Sequence, residues 1–192
     1  MFRSRLQLIL LACVSLSATT LPGGAMIPDQ SGDKPPGETG QQESTMGSTD
    51  LIRVGETLRG TLDTTTFQIA ASLGGMRITA GMDALFAPGG SVLRPGARHD
   101  LEIIAGQLAA AGGGGVLDVT GYTDNRGDAA ANRALSERRA SAVAGVFRDA
   151  RISGLIIQTA GRGETAPRAS NQTPEGRARN RRVVIVFQAD IR

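Results

Sequence analysis

The 192 residues are enough for one ordinary domain plus extensions. A formal net charge of +3 is too small to imply a polyanionic partner by itself, and Lys34 is the only lysine. One cysteine, Cys13, excludes an intramolecular disulfide; one histidine, His99, argues against the usual His/Cys metal clusters.

Arg3 and Arg5 precede an apolar run over residues 6–16 that is too short to span a bilayer, so residues 1–25 read as a secretion signal. Two processing routes are open. Leu10-Leu11-Ala12-Cys13 has the form of a lipobox, with Cys13 becoming the lipidated first residue; the rival is a cut after Ala18 or Ala25. The lipoprotein is preferred, because a lone thiol inside a signal is otherwise idle. Residues 26–50 are Pro, Gly, Ser, Thr, Gln and charge, which predicts a disordered linker. Residues 51–75 read as a short β-rich extension, with strands at 51–54 and 66–70 and an extended Thr64-Thr65-Thr66 run.

Further along, 76–80 reads as a strand and Pro88-Gly89-Gly90 as a turn. Pro95 suits the first position of a helix carrying Leu101, Ile104, Ala105 and Leu108 at helical spacing, which the Gly112-Gly113-Gly114-Gly115 run ends. His99 falls away from the apolar positions and is assigned to the surface. The glycine run lacks the Gly-Lys-Ser/Thr of a phosphate loop.

Residues 116–120 form the next strand, followed by a turn-rich stretch over 121–127 and a helix over about 129–150 with Asp128 at its favourable end. In helical phase, Leu135, Ala142, Val143, Val146 and Phe147 share one side, and Asn132 and Arg139 project from that same stripe. A buried guanidinium needs an anion. The nearest upstream loop carboxylate is Asp124, at the C-terminal end of a strand, where ligands collect in sheets with helical crossovers. Either the two form a structural ion pair, or each grips one end of a zwitterion, Asp124 the ammonium and Arg139 the carboxylate. Phase alone leaves both open.

Residues 155–160 and 183–187 complete the strands, the second apolar on both faces and so central; a polar segment to Arg179 lies between. Strands alternating with helices predict an α/β class chain, an α+β sandwich with helices packed on one face of a mixed sheet.

Three spaced motifs carry a family resemblance. They are Leu85-Phe86-Ala87-Pro88-Gly89-Gly90-Ser91-Val92-Leu93-Arg94-Pro95-Gly96-Ala97; Gly121-Tyr122-Thr123-Asp124 with Asn132 and Leu135-Ser136-Glu137-Arg138-Arg139-Ala140; and Gly161-Arg162-Gly163-Glu164-Thr165-Ala166-Pro167 with Asn171-Gln172-Thr173-Pro174-Glu175-Gly176-Arg177 and Asn180-Arg181-Arg182-Val183. Over residues 76–188 the chain resembles the OmpA-like C-terminal domains, which bind peptidoglycan. The resemblance implies a βαβαβ-type domain over 76–190 with a mixed four-stranded sheet. It also implies a non-catalytic module that recognises the diaminopimelate residue of peptidoglycan stem peptides. Asp124 would accept the ammonium and Arg139 fork the carboxylate. Asn132 would bond the ligand or fix the loop, Thr123 would contribute through backbone or hydroxyl, and Arg181 would assist Arg139. Ala87 stands where some members have an aspartate, and Arg126 where some have threonine.

The implied setting is the periplasm, with the outer membrane reached through a lipid on Cys13 and a homodimer left open. No cofactor or metal is called for, and nucleic acid is set aside because stacking aromatics are missing: there is no tryptophan and one tyrosine, Tyr122. Rival readings are an envelope protein–protein interaction module, a flagellar-stator-like protein, and a polyanion binder resting on Arg177, Arg179, Arg181 and Arg182. Of these four arginines, Arg177 and Arg179 are expected to be solvated surface.

Overall fold

The computed structural model describes residues 48–190; the signal, Cys13 and most of the 26–50 linker lie outside the described residues. The first element corrects the sequence reading. Residues 51–54 are not a strand but part of helix α1, Ser48–Thr61. Leu51, Val54, Leu58 and, just beyond the helix, Leu62 are buried at spacings of one helical turn, and this stripe outweighs the β preference of Ile52 and Val54. The threonine run is a turn rather than extended chain. Asp63 accepts hydrogen bonds from the Thr65 amide and from the Thr65 and Thr66 hydroxyls.

Strands β1 (Phe67–Ser72) and β2 (Gly75–Gly81) form an antiparallel hairpin. A single turn, α2 (Met82–Leu85), leads through an irregular segment to α3 (Pro95–Ala110), where Pro95 takes the expected first position. Then come β3 (Gly115–Tyr122), α4 (Ala129–Asp149), β4 (Leu155–Gly161), α5 (Pro174–Asn180) and β5 (Arg182–Ala189). The sheet order is β1-β2-β5-β3-β4, parallel only between β3 and β4. The predicted four-stranded mixed sheet is therefore present, with β1 added at its edge. Helix α5 was not foreseen. Its signal was legible, since Thr173 caps it by accepting from the Gly176 amide and Pro174 follows at the first helical position.

One face of the sheet carries the core. Met76, Ile78, Ala80, Leu117, Val119, Val183, Ile185 and Phe187 alternate inward and meet Leu101, Ile104, Val143 and Phe147 from the helices. The helices α1 and α4 lie on the sheet, and α3 rests on both of them. The closing strand β5 is central as expected.

The seating of α4 depends on two glycines. A Cβ at Gly121 would lie 2.4 Å from the Ser136 carbonyl oxygen, and one at Gly161 would lie 2.5 Å from the Glu137 nitrogen. Helix and strand ends thus approach backbone to backbone. Gly121→Ala is expected to cost about 1–3 kcal/mol through overpacking. Gly106→Ala, in α3 with nothing within 4 Å of the new Cβ, is expected to be neutral or stabilising. Urea unfolding of the two variants checks this; equal stability would refute the close approach.

Candidate ligand-binding site

Helix α4 begins at Asp128, whose side chain accepts from the Ala131 amide. Its buried stripe contains Asn132, Ser136, Arg139, Ala140, Val143 and Phe147, so the phase argument placed Asn132 and Arg139 correctly. The Asn132 side-chain amide donates to the Arg126 carbonyl (3.0 Å) and the Glu164 carboxylate (3.0 Å), and lies 3.4 Å from the Asp124 carbonyl. Asn132 thus engages the loop. Thr123 donates its amide to the Gly163 carbonyl at 2.8 Å. Its hydroxyl is sealed in the interior without a partner.

Arg139 is 5 % exposed. Its Nε donates to the Gly90 carbonyl at 2.7 Å, and its guanidinium carbon lies 5.5 Å from the centre of the Phe86 ring. It belongs to no ion pair among the described residues. Its two terminal nitrogens have no partner there either, yet neither is sealed off from solvent. Burial pulls its pKa down, Asp83 opposes the fall, and Arg181 and Arg138 add to it. A guanidinium nonetheless stays charged in a protein.

Asp124, 8 % exposed, is bound by Arg181 and not by Arg139. Its Oδ1 accepts from the Arg126 amide at 3.0 Å and its Oδ2 from Arg181 at 2.8 Å. Arg181 also binds Asp83, through Nε at 3.1 Å and Nη2 at 2.6 Å. Of the two open alternatives, the structural ion pair between Asp124 and Arg139 is absent among the described residues, and Arg181, expected beside Arg139, forms its bonds with the two acids. The physical reason is electrostatic: two carboxylates hold the guanidinium at the α5–β5 junction, and its pKa rises in response, the bond to Asp83 contributing most. Asp83 was missed because no motif or period marks it. It sits in the one-turn α2, with a side chain 66 % exposed. Ala87, exposed and without a carboxylate, contributes none, so Asp83 is the second acid of the site. His99 is exposed as expected, and Arg177 donates to the Asn171 and Gln172 carbonyls instead of standing free.

The arrangement sorts charge into two adjacent parts. Asp83 and Asp124 share one guanidinium, leaving one excess negative charge. Arg139 next to them carries one unpaired positive charge. Such a site suits a ligand group that is itself dipolar.

The OmpA family matches residues 85–181, which hold every residue of the site except Asp83. The outer-membrane lipoprotein YfiB of Pseudomonas aeruginosa is 44 % identical over 98 residues, covering 51 % of this chain and 58 % of that protein. The peptidoglycan-binding protein ArfA of Mycobacterium tuberculosis is 43 % identical over 101 residues, covering 53 % of this chain and 31 % of that one. The chain thus spans less than two thirds of the length of either relative. Among solved structures, the cell wall anchor of the T6SS from Pseudomonas aeruginosa superposes with a TM-score of 0.60 at 30 % identity, covering 73 % of this chain and 97 % of that one.

The Asp83–Arg181 bond makes a pH prediction. The hydrogen bond from Arg181 holds Asp83 below its ordinary pKa of 3.8, with burial opposing. A depressed folded pKa means the contribution is present above the unfolded value and is lost as pH falls through the folded one. Asp83→Asn is expected to flatten the acid limb of the stability–pH curve below that ordinary value, modestly because the group is exposed. Urea midpoints measured down the acid range check it; an unchanged limb would count against the bond.

Proposed function

The chain belongs to the OmpA family, and from that premise we propose that it binds peptidoglycan without catalysis. In this reading it grips the free end of the diaminopimelate side chain and tethers the outer membrane, or a complex on it, to the cell wall. The name of ArfA supports the wall as ligand, and the name of YfiB supports an outer-membrane lipoprotein; in this reading the domain faces the periplasm and Cys13 carries the lipid. Among the described residues no helix is long and apolar enough to cross a membrane.

One observation carries the finer proposal: a buried guanidinium with open terminal nitrogens beside a carboxylate pair that shares a single cation. Diaminopimelate ends in an ammonium and a carboxylate on one carbon. The carboxylate completes Arg139, accepting from the two nitrogens that lack partners. The ammonium is drawn to the excess negative charge of Asp83 and Asp124. A carboxylate offers about four acceptor positions, so Asp124 can hold Arg181 and Arg126 and still accept from the ligand. Asn132 keeps the 124–126 loop in place during this exchange.

Arg139→Ala and Arg139→Lys are both expected to lose about 30- to 100-fold in binding to purified diaminopimelate-type peptidoglycan, the scale of a lost buried charged hydrogen bond. Lysine fails too, because it keeps the charge and loses the fork. Asp124→Asn should weaken binding while its fold persists. Co-sedimentation across a salt series measures this, with circular dichroism to verify folding. Full binding by a folded Arg139→Lys variant would remove the zwitterion reading. A steep loss of wild-type binding with salt would favour polyanion attraction instead.

A further inference from the structure

A second set of cations faces the other side of the sheet. A cleft of about 410 Å³ opens where β1 begins and α5 passes into β5, lined among others by Gln68, Thr79, Arg168, Arg179 and Arg182. Gln68, Thr79 and Arg182 each adjoin core-facing residues in their strands, so alternation turns them away from the core. Arg182 is 6 % exposed and stacks on Tyr122, its guanidinium carbon 3.9 Å from the ring centre. Its Nη1 donates to the Asn180 carbonyl (3.2 Å) and its Nη2 to the Ala166 carbonyl (3.1 Å), while Nε is buried with no partner. Two neutral carbonyls do not require a charge, and a charge kept this far from water is costly without an anion.

No anion among the described residues pairs with it. Arg168, Arg179 and Arg182 enter no ion pair among the described residues. Asp63, nearby, is engaged by Thr65 and Thr66, and Asp83 and Asp124 are taken by Arg181. Arg168 is held in position against its like-charged neighbour. The buried Asn180 side chain accepts from the Arg168 and Ala169 amides at 2.8 and 3.0 Å, and donates to the Ala169 carbonyl and to Asn171. Arg168 in turn disfavours the charge on Arg182.

We propose that this cleft binds a phosphate monoester, with Arg168 and Arg179 closing on its oxygens over the fixed charge of Arg182. A carboxylate neutralises one guanidinium; a phosphate monoester carries nearly two charges and three acceptor oxygens, which matches three arginines. The cleft is larger than a bare phosphate group needs, leaving space for the glycerol or sugar that bears it. The ester can be soluble or part of a lipid headgroup; Arg181, which also lines the cleft, is already taken by Asp83 and Asp124.

The test uses the whole chain at physiological ionic strength. NMR titration with glycerol 3-phosphate is expected to move the Arg182 Nε–H and Gln68 side-chain signals, and glycerol alone is expected not to. Vesicles of phosphatidylcholine with and without phosphatidic acid supply the lipid arm, read by co-sedimentation. The double variant Arg168→Ala/Arg179→Ala, altered only at exposed side chains, should lose binding at least about tenfold. Response to glycerol 3-phosphate assigns a soluble ester; binding only to phosphatidic acid vesicles, lost in the double variant, assigns a headgroup. Silence toward both probes overturns the proposal. So does binding undiminished in the folded double variant, or shifts scattered over the surface that bypass Arg182.

Discussion

The guanidinium of Arg139 is the constraint on which the site depends. A charge buried to this degree is costly unless paired, and among the described residues its direct contacts are a carbonyl and an aromatic face, with Asp83 supporting it electrostatically. What it gains is order in the segment after α2. Arg139 holds the Gly90 carbonyl, Arg94 Nε donates to the Phe86 carbonyl at 3.2 Å, and Phe86 and Leu93 meet in an isolated bridge. The segment is thus shaped around a cation that keeps its two terminal nitrogens open. None of this works unless α4 lies close on the sheet, which is why Gly121 and Gly161 belong to the site as much as the charges do.

The acid half is assembled differently. Arg181 draws together three segments distant in the chain: α2 through Asp83, the β3–α4 loop through Asp124, and its own α5–β5 junction. Its carbonyl also accepts the Met82 amide at 2.9 Å, which ties α2 to the same point. Because two carboxylates share it, Arg181 neutralises neither fully. The negative excess therefore sits next to the positive excess of Arg139 instead of cancelling within a closed pair. Opposite charges placed directly against each other would have left no preference for a ligand.

How far the sequence revealed this follows from the range of each interaction. Helical phase is local, so it put Asn132 and Arg139 on the buried stripe of α4. Nearness in sequence singled out Asp124 but could not decide between an ion pair with Arg139 and two groups held apart; in the folded chain Asp124 pairs with Arg181. Asp83 and Arg181 are 98 positions apart, and no period or propensity encodes such a contact. At residues 51–54 a β-branched pair suggested a strand, although Leu51, Val54, Leu58 and Leu62 already marked a helix face; packing of an amphipathic stripe prevailed over local preference. Helix α5 was the reverse case, since its Thr-Pro-Glu start was in plain view.

The basic run at the end of α5 shows why a charge cluster in sequence need not be a patch in space. Arg177 turns to loop carbonyls and Arg181 binds two acids, while Arg179 and Arg182, which line the cleft beside Arg181, enter no ion pair among the described residues. Arg181 and Arg182 are adjacent residues whose guanidinium groups take different partners, two carboxylates for Arg181 and two backbone carbonyls for Arg182. A linear polyanion needs a continuous row of cations to follow. Four guanidinium groups divided among three environments offer it none, and they favour compact ligands, each met by a fixed set of donors.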